Sequence, residues 1–371
     1  MANILDYIMW RGDLSFECDK LNELDKLIFA RMSYLPFKEI EFKGKEKIKN
    51  LSYKFLKIKK EKFLWPGDDK LIEMLGESNR FQNVEVSDYY EVMDAEAEKQ
   101  YASITIHLSE NEKFVSFRGT DATLVGWKED FNMSFLYNIP SQLEAVKYLN
   151  KIGKKYPNSS LILGGHSKGG NVAVYAGIYA DEDIKVRIEQ IINAEGPGFP
   201  ENVISDVKYS KIKDRIKTYI PQESIIGRIL EHQEDYIVIR SNQKGILQHD
   251  IYSWEVGPTF LIQIKEVTRE SQIMNNLTNE WFHSTTPEAR ERVINVLYDI
   301  LAKSDVKKTS DIPKALLKNT KVVLNNLKQL DDEDKKEVEK MVKQIMELVK
   351  NIVKDEIEIN APKLKINKKN I

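Results

Sequence analysis

The sequence predicts an α/β fold: a mostly parallel, doubly wound sheet with antiparallel N-terminal strands and a helical C-terminal extension. Two observations predict it. Residues 84–86, 101–108 and 113–117 are short apolar or alternating runs, with the polar turn Ser109-Glu110-Asn111-Glu112 between the last two, a pattern of antiparallel strands. From about Ser141 the pattern changes to helix and strand in turn. A helix over 141–155 leads to the apolar strand 161–163 and a helix over 168–179, and strands follow at 190–193, 216–220 and 236–240. Strands alternating with helices imply right-handed crossovers and a parallel sheet covered on both faces.

The first helical signal starts near Asp19 as N-cap and carries Leu21, Leu24, Leu27, Ile28 and Met32 on one face. Residues 43–62 are dominated by lysine, with Leu51, Phe55 and Ile58 as an apolar stripe, so a solvated helix is expected there rather than a binding surface. Beyond about Val267 no strand pattern remains. Thr286-Pro287-Glu288 reads as a cap, a first-turn proline and an early acid, opening a helix with Val293, Val296, Leu297 and Ile300 inward. Over 331–354, Val338, Val342, Ile345, Val349 and Ile352 recur in a 4-3-4-3 rhythm, about two heptads, which suits a helix docked on its own domain better than a coiled coil. The tail, 361–371, has four lysines and no acid and is expected to be disordered. The expected division is 1–265 for the sheet domain with its N-terminal helices, 266–360 for the helical extension and 361–371 for the tail.

Composition narrows the function classes. With 56 Lys and Arg against 58 Asp and Glu the net charge is -2, and 42% hydrophobic with 31% charged residues suits a globular protein. No basic stripe interleaved with aromatics marks a nucleic-acid surface. The single cysteine, Cys18, cannot form an internal disulfide, which favours a reducing compartment. No basic segment followed by an apolar run opens the chain, and no stretch approaches the roughly 18 apolar residues that span a bilayer. A cytoplasmic location is therefore expected.

The chemistry is concentrated at Gly165-His166-Ser167-Lys168-Gly169, directly after the apolar strand and directly before a helix of small residues. A serine hydroxyl is a weak nucleophile near neutral pH, so acyl transfer needs a base for its proton and donors for the developing oxyanion. The G-x-S-x-G elbow supplies the geometry: its glycines permit a strained turn that exposes the serine at the carboxyl edge of the sheet, with the next backbone N–H in the oxyanion hole. A second constellation is Phe117-Arg118-Gly119-Thr120-Asp121, followed by Gly126-Trp127 and Asp130-Phe131. By itself it reads as a hairpin exit with a surface arginine. As a strand ending in a tight turn, it can instead aim a backbone N–H and the Thr120 hydroxyl at a substrate oxygen.

Phe-Arg-Gly-Thr with a following Trp and Asp, then Gly-His-Ser-x-Gly-Gly, resembles the class 3 lipases. The motifs Asn193-Ala194-Glu195-Gly196-Pro197-Gly198-Phe199 and Gln248-His249-Asp250-Ile251-Tyr252-Ser253-Trp254 make the chain more similar still to a bacterial lipase-like α/β-hydrolase family of unknown function. The resemblance covers roughly residues 15 to 260 and implies the α/β-hydrolase fold. It also implies Ser167 as nucleophile, Thr120 and Lys168 as oxyanion-hole residues through their backbone N–H groups, and His249 as general base. Chain order supports His249 independently, because in this fold the histidine comes last; His232 is the other candidate. The acid departs from the family pattern. The loop after the strand 216–220 reads Pro221-Gln222-Glu223-Ser224-Ile225-Ile226-Gly227, with Ser224 where the lipases keep an aspartate. Glu223 is the first choice, Glu231 and Asp235 are fallbacks, and a Ser167–His249 dyad oriented by Ser224, by a backbone carbonyl or by water is the rival. Lys168 is also atypical, either favouring an acidic substrate or covering the helix start. The expectation is an esterase or lipase-like serine hydrolase acting on a small-molecule or lipid acyl substrate, with no metal or redox cofactor. Thioesterase, amidase and peptidase use the same constellation. The alternative is a catalytically weak or inactive binding or scaffold protein of the same fold.

Overall fold

Eight strands lie side by side in chain order: β1 (Lys45–Lys47), β2 (Glu85–Asp94), β3 (Lys99–His107), β4 (Glu112–Phe117), β5 (Ser160–His166), β6 (Ile188–Ala194), β7 (Ile216–Pro221) and β8 (Tyr236–Ile239). The computed structural model describes residues 1–121 and 123–302. β1 to β4 pair antiparallel, and β4 to β8 pair parallel. Every strand expected from Val84 onward is present.

Period-two alternation splits the core between two faces. Phe114 and Ile162 turn to one face, packing with Leu27, Ile28 and Phe29. Their neighbours Val115, Leu161 and Leu163 turn to the other, packing with Leu149 and Val172. Strands in chain order joined by right-handed crossovers put their connecting helices on one side. That side holds α6 (Pro140–Lys155) and α7 (Lys168–Tyr179). The opposite face is covered from the N-terminal part of the chain, by α1 (Ile4–Arg11), α2 (Glu23–Met32), α3 (Ile48–Phe55) and α4 (Asp68–Glu77).

Three local differences from the sequence reading have identifiable causes. The α2 helix starts at Glu23 because the Asn22 side chain accepts from Leu24 N and Asp25 N, whereas Asp19 pairs with Arg11 at 2.7 Å. The lysine-rich stretch is divided between an edge strand and the short helix α3, which buries Leu51 and Phe55 and leaves its lysines at the surface. The segment after β4 is a helix, α5 (Leu124–Asn132), rather than a plain hairpin exit, capped by the Thr123 hydroxyl accepting from Gly126 N at 3.2 Å.

Helices Arg269–Ser284 and Pro287–Ala302 follow the sheet, the second with Thr286 Oγ1 accepting from Ala289 N at 3.2 Å. The compact unit that contains the sheet runs Met1–Ile294. The 4-3-4-3 stretch and the lysine tail lie outside the described residues. Among the described residues no helix is long and apolar enough to cross a membrane, and no group of three His, Cys, Asp or Glu is placed to hold a metal ion.

Candidate active site

Ser167 sits between β5 and α7 with φ +59° and ψ -136°, a backbone conformation that costs a non-glycine residue of order 1–3 kcal/mol. The surroundings hold it there. Ser167 N donates to Ala194 O at 2.9 Å, and Gly170 N donates to Ser167 O at 2.8 Å. The flanking glycines are required by close approach: a Cβ on Gly165 would stand 2.3 Å from the Gly169 backbone, and one on Gly169 would stand 2.2 Å from Phe117 O. The segment after β4 therefore lies directly on the elbow, which brings Gly119 and Thr120 beside Ser167. Among the described residues, the backbone N–H groups of Thr120 and Lys168 have no acceptor and the Ser167 hydroxyl has no hydrogen-bond partner.

His249 ends the short 3-10 turn Gly245–His249 after β8. Its ring lies 4.6 Å from that of His166, centroid to centroid, and His166 Nε2 donates to His249 O at 2.8 Å. The Tyr34 hydroxyl donates to His166 O at 3.0 Å and lies 3.3 Å from His166 Nδ1. Burial, and then the neighbouring His249 and Arg31, hold the His166 imidazole well below its ordinary pKa, so it is neutral with its proton on Nε2. The elbow and the histidine loop are thus joined through the residue preceding Ser167.

The carboxylate at His249 is Glu195. His249 Nδ1 lies 2.9 Å from Glu195 Oε2, and Glu195 Oε1 accepts from the Ser224 hydroxyl at 2.6 Å. Glu195 follows β6 with φ +50° and is buried, its N–H donating to Tyr219 O at 2.8 Å. With Nδ1 engaged, the imidazole keeps Nε2 free of partners among the described residues.

The expected acid, Glu223, is elsewhere. Its Oε2 accepts from Gly245 N at 2.5 Å and its N–H donates to Gln248 Oε1 at 2.9 Å, so it ties down the loop that carries His249 without touching the ring. Glu231 pairs through its backbone with Phe199, and neither it nor Asp235 bonds the imidazole. Ser224 does not orient His249 itself; it holds the acid that does. His232 has both nitrogens occupied, Nδ1 by Glu234 at 3.2 Å and Nε2 by Gly227 O at 3.1 Å. The signal for Glu195 was an acid in a Gly-Pro-Gly turn after the strand next to β5. The class 3 lipase pattern puts the acid one strand further on, after β7.

Beside Ser167 a pocket of about 200 Å³ is walled mainly by Trp127, Phe131, Met133, Pro197, Ile229 and Leu230. Its one carboxylate is Asp130, which accepts from the Thr120 hydroxyl at 2.5 and 2.6 Å. The Lys168 side chain takes neither course expected of it. It turns inward, 1% exposed, to Glu129 Oε2 at 2.7 Å. Burial raises the Asp130 carboxyl from 3.8 to about 6, against the opposing Lys168 charge and Thr120 hydrogen bond.

A carboxyl with a raised folded pKa stabilises the fold below its unfolded pKa and loses that contribution as pH rises through the folded value, here between about 4 and 6. Asp130→Asn is therefore expected to gain melting temperature relative to wild type across that window and to hold the gain at higher pH. Thermal melts from pH 4 to 8 check this, and a difference independent of pH contradicts it.

A parallel sheet with a serine elbow after β5, a carboxylate after β6 and a histidine after β8 is the α/β-hydrolase fold. Residues 75–299, more than half of the chain, match the Mbeg1-like family model, and the chain belongs to that family. No curated protein matches the sequence. Among solved structures it is similar to the nonglycosylated LIP2 lipase of Yarrowia lipolytica, at 11% identity and TM-score 0.41 over 67% of this chain and 86% of that one. It is also similar to M37 lipase, at 16% identity and TM-score 0.38 over 57% and 70%. Rhizomucor miehei lipase in its propeptide complex aligns at 13% identity and TM-score 0.33 over 43% of this chain and 58% of that one.

Proposed function

We propose that the protein is a serine hydrolase of carboxylic esters. The carrying observation is the His249 Nδ1 to Glu195 Oε2 hydrogen bond of 2.9 Å beside a serine held at φ +59°. In this reading His249 Nε2 takes the Ser167 proton as Oγ attacks the ester carbonyl, and the oxyanion accepts from the N–H groups of Thr120 and Lys168. His249 then gives the proton to the leaving alcohol. Water, activated by the same imidazole, cleaves the acyl-enzyme and frees the acid and Ser167. Glu195 keeps Nε2 aimed at the serine and stabilises the imidazolium.

A cavity of ~150 Å³ admits benzene, so the pocket of about 200 Å³ suits a small-molecule or lipid acyl group somewhat larger. The exposed Cys18 fits a reducing compartment, and we place the activity in the cytoplasm. The rival reading, an inactive scaffold, rests on an uncertain acid and on the charged residue after Ser167; the Glu195 hydrogen bond to His249 and the inward turn of Lys168 favour the hydrolase.

The test is covalent labelling. A fluorophosphonate probe should modify the wild-type chain once, with the adduct on the peptide that contains Ser167. An unlabelled protein, or an adduct on another residue, overturns the proposal.

A further inference from the structure

The two backbone N–H groups assigned to the oxyanion come from distant segments, Thr120 after β4 and Lys168 at the start of α7, and both side chains end on one short helix. Thr120 Oγ1 donates to Asp130, and Lys168 Nζ pairs with Glu129; the two acids are consecutive residues of α5. We propose that α5 is a splint that sets the spacing of the two oxyanion donors, and that Lys168 and Glu129 are positioning residues for the reaction at Ser167. The proposal rests on the reading of Ser167 as nucleophile.

The Lys168–Glu129 pair is built to fix position. Lys168 is 1% exposed and Glu129 0%. The ammonium has three protons and meets three acceptors, Glu129 Oε2 at 2.7 Å, Gln100 O at 3.0 Å and Gln100 Oε1 at 3.1 Å. Glu129 is equally engaged: Oε1 accepts from Ser141 N at 2.8 Å, and Oε2 also accepts from Gln100 N at 3.0 Å. The pair therefore locks the elbow and α5 to β3 and to the start of α6 at one point. A buried ion pair is weak evidence for stability, because an apolar pair of similar volume serves as well. Directional bonds to two other elements, β3 and α6, do what an apolar contact cannot, which is to hold α5 at one register against the elbow. Asp130, the next residue, then holds Thr120 at a set distance from Lys168. Misplacement of a reacting geometry by about 1 Å costs about 100-fold in rate.

The test uses the full chain and a soluble p-nitrophenyl ester. K168M/E129Q removes both charges and leaves neither partner buried alone. Its melting temperature should stay near wild type while kcat falls about 10- to 100-fold and KM changes by less than about threefold. Glu129→Gln alone keeps every heavy atom but leaves the Lys168 ammonium buried without its counter-ion, so it should lose melting temperature as well as kcat; if the double variant does not fold, kcat of folded Glu129→Gln, measured below its transition, carries the test. A cycle of Glu129→Gln with Thr120→Val adds a readout that simple loss of packing does not move: both cut the same linkage, so their effects on kcat should be less than additive. Unchanged kcat in K168M/E129Q, a loss confined to KM, or additive effects in the cycle overturn the splint. Failure of the hydrolase reading is distinct, since wild type would then neither label at Ser167 nor turn over.

Discussion

His249→Ala is expected to lower kcat by on the order of 10⁶-fold while leaving the melting transition nearly in place. Removing one member of a catalytic unit costs about as much as removing the unit, and what remains comes from oxyanion donors and substrate binding. The imidazole is a partly exposed side chain on a surface turn, so its loss removes proton transfer without opening the core. Steady-state kinetics with an activated ester, alongside thermal melts, measure both quantities. His232→Ala is the control: its ring joins Glu234 to Gly227 O, so it should affect stability more than chemistry. Inactivation by His232→Ala with activity retained in His249→Ala would reverse the assignment.

Glu195→Gln should lower kcat by about 10⁴-fold, because an amide at that place lets the imidazole settle in the tautomer that cannot take the serine proton. Glu223→Gln should change kcat by less than about tenfold and show its effect mainly as a lower melting temperature, since that carboxylate caps the turn at Gly245. Measured together, the two variants decide which carboxylate serves the histidine. A large kinetic loss in Glu223→Gln with a mild one in Glu195→Gln would restore the assignment suggested by the loop after β7.

The contrast between these two glutamates marks where sequence reasoning stops. Strands β2 to β8 were legible because burial imposes apolar runs of strand length, and Ser167 was legible because an elbow needs glycines at fixed offsets. Both are local constraints. The partner of His249 is chosen by which loops meet at the sheet edge, and Glu195 lies 54 residues from it along the chain. Ser224, at the place that the resemblance to the class 3 lipases gives to an aspartate, donates to Glu195 Oε1 at 2.6 Å. The inward turn of Lys168 was hidden for a similar reason. A lysine after the elbow serine looks solvent-facing until the helix carrying Glu129 is known to lie against it.

The helix Arg269–Ser284 has a consequence for where this protein can be cut. Its first turn is tied to the loop after β7: Thr268 N donates to Gln222 O at 2.8 Å, and Ser271 Oγ donates to Ser224 O at 2.7 Å. Further on, Arg290 Nε donates to Ser134 O at 2.6 Å, beside the pocket wall formed by Met133. A fragment ending at residue 265 would keep all eight strands and His249 and lose these tethers, leaving the loop that carries Ser224 held by the bonds of Gln222 and Glu223 to Ser241, Gly245 and Gln248. The compact unit Met1–Ile294 therefore holds these tethers together with the sheet, and a cut at residue 265 would sever them.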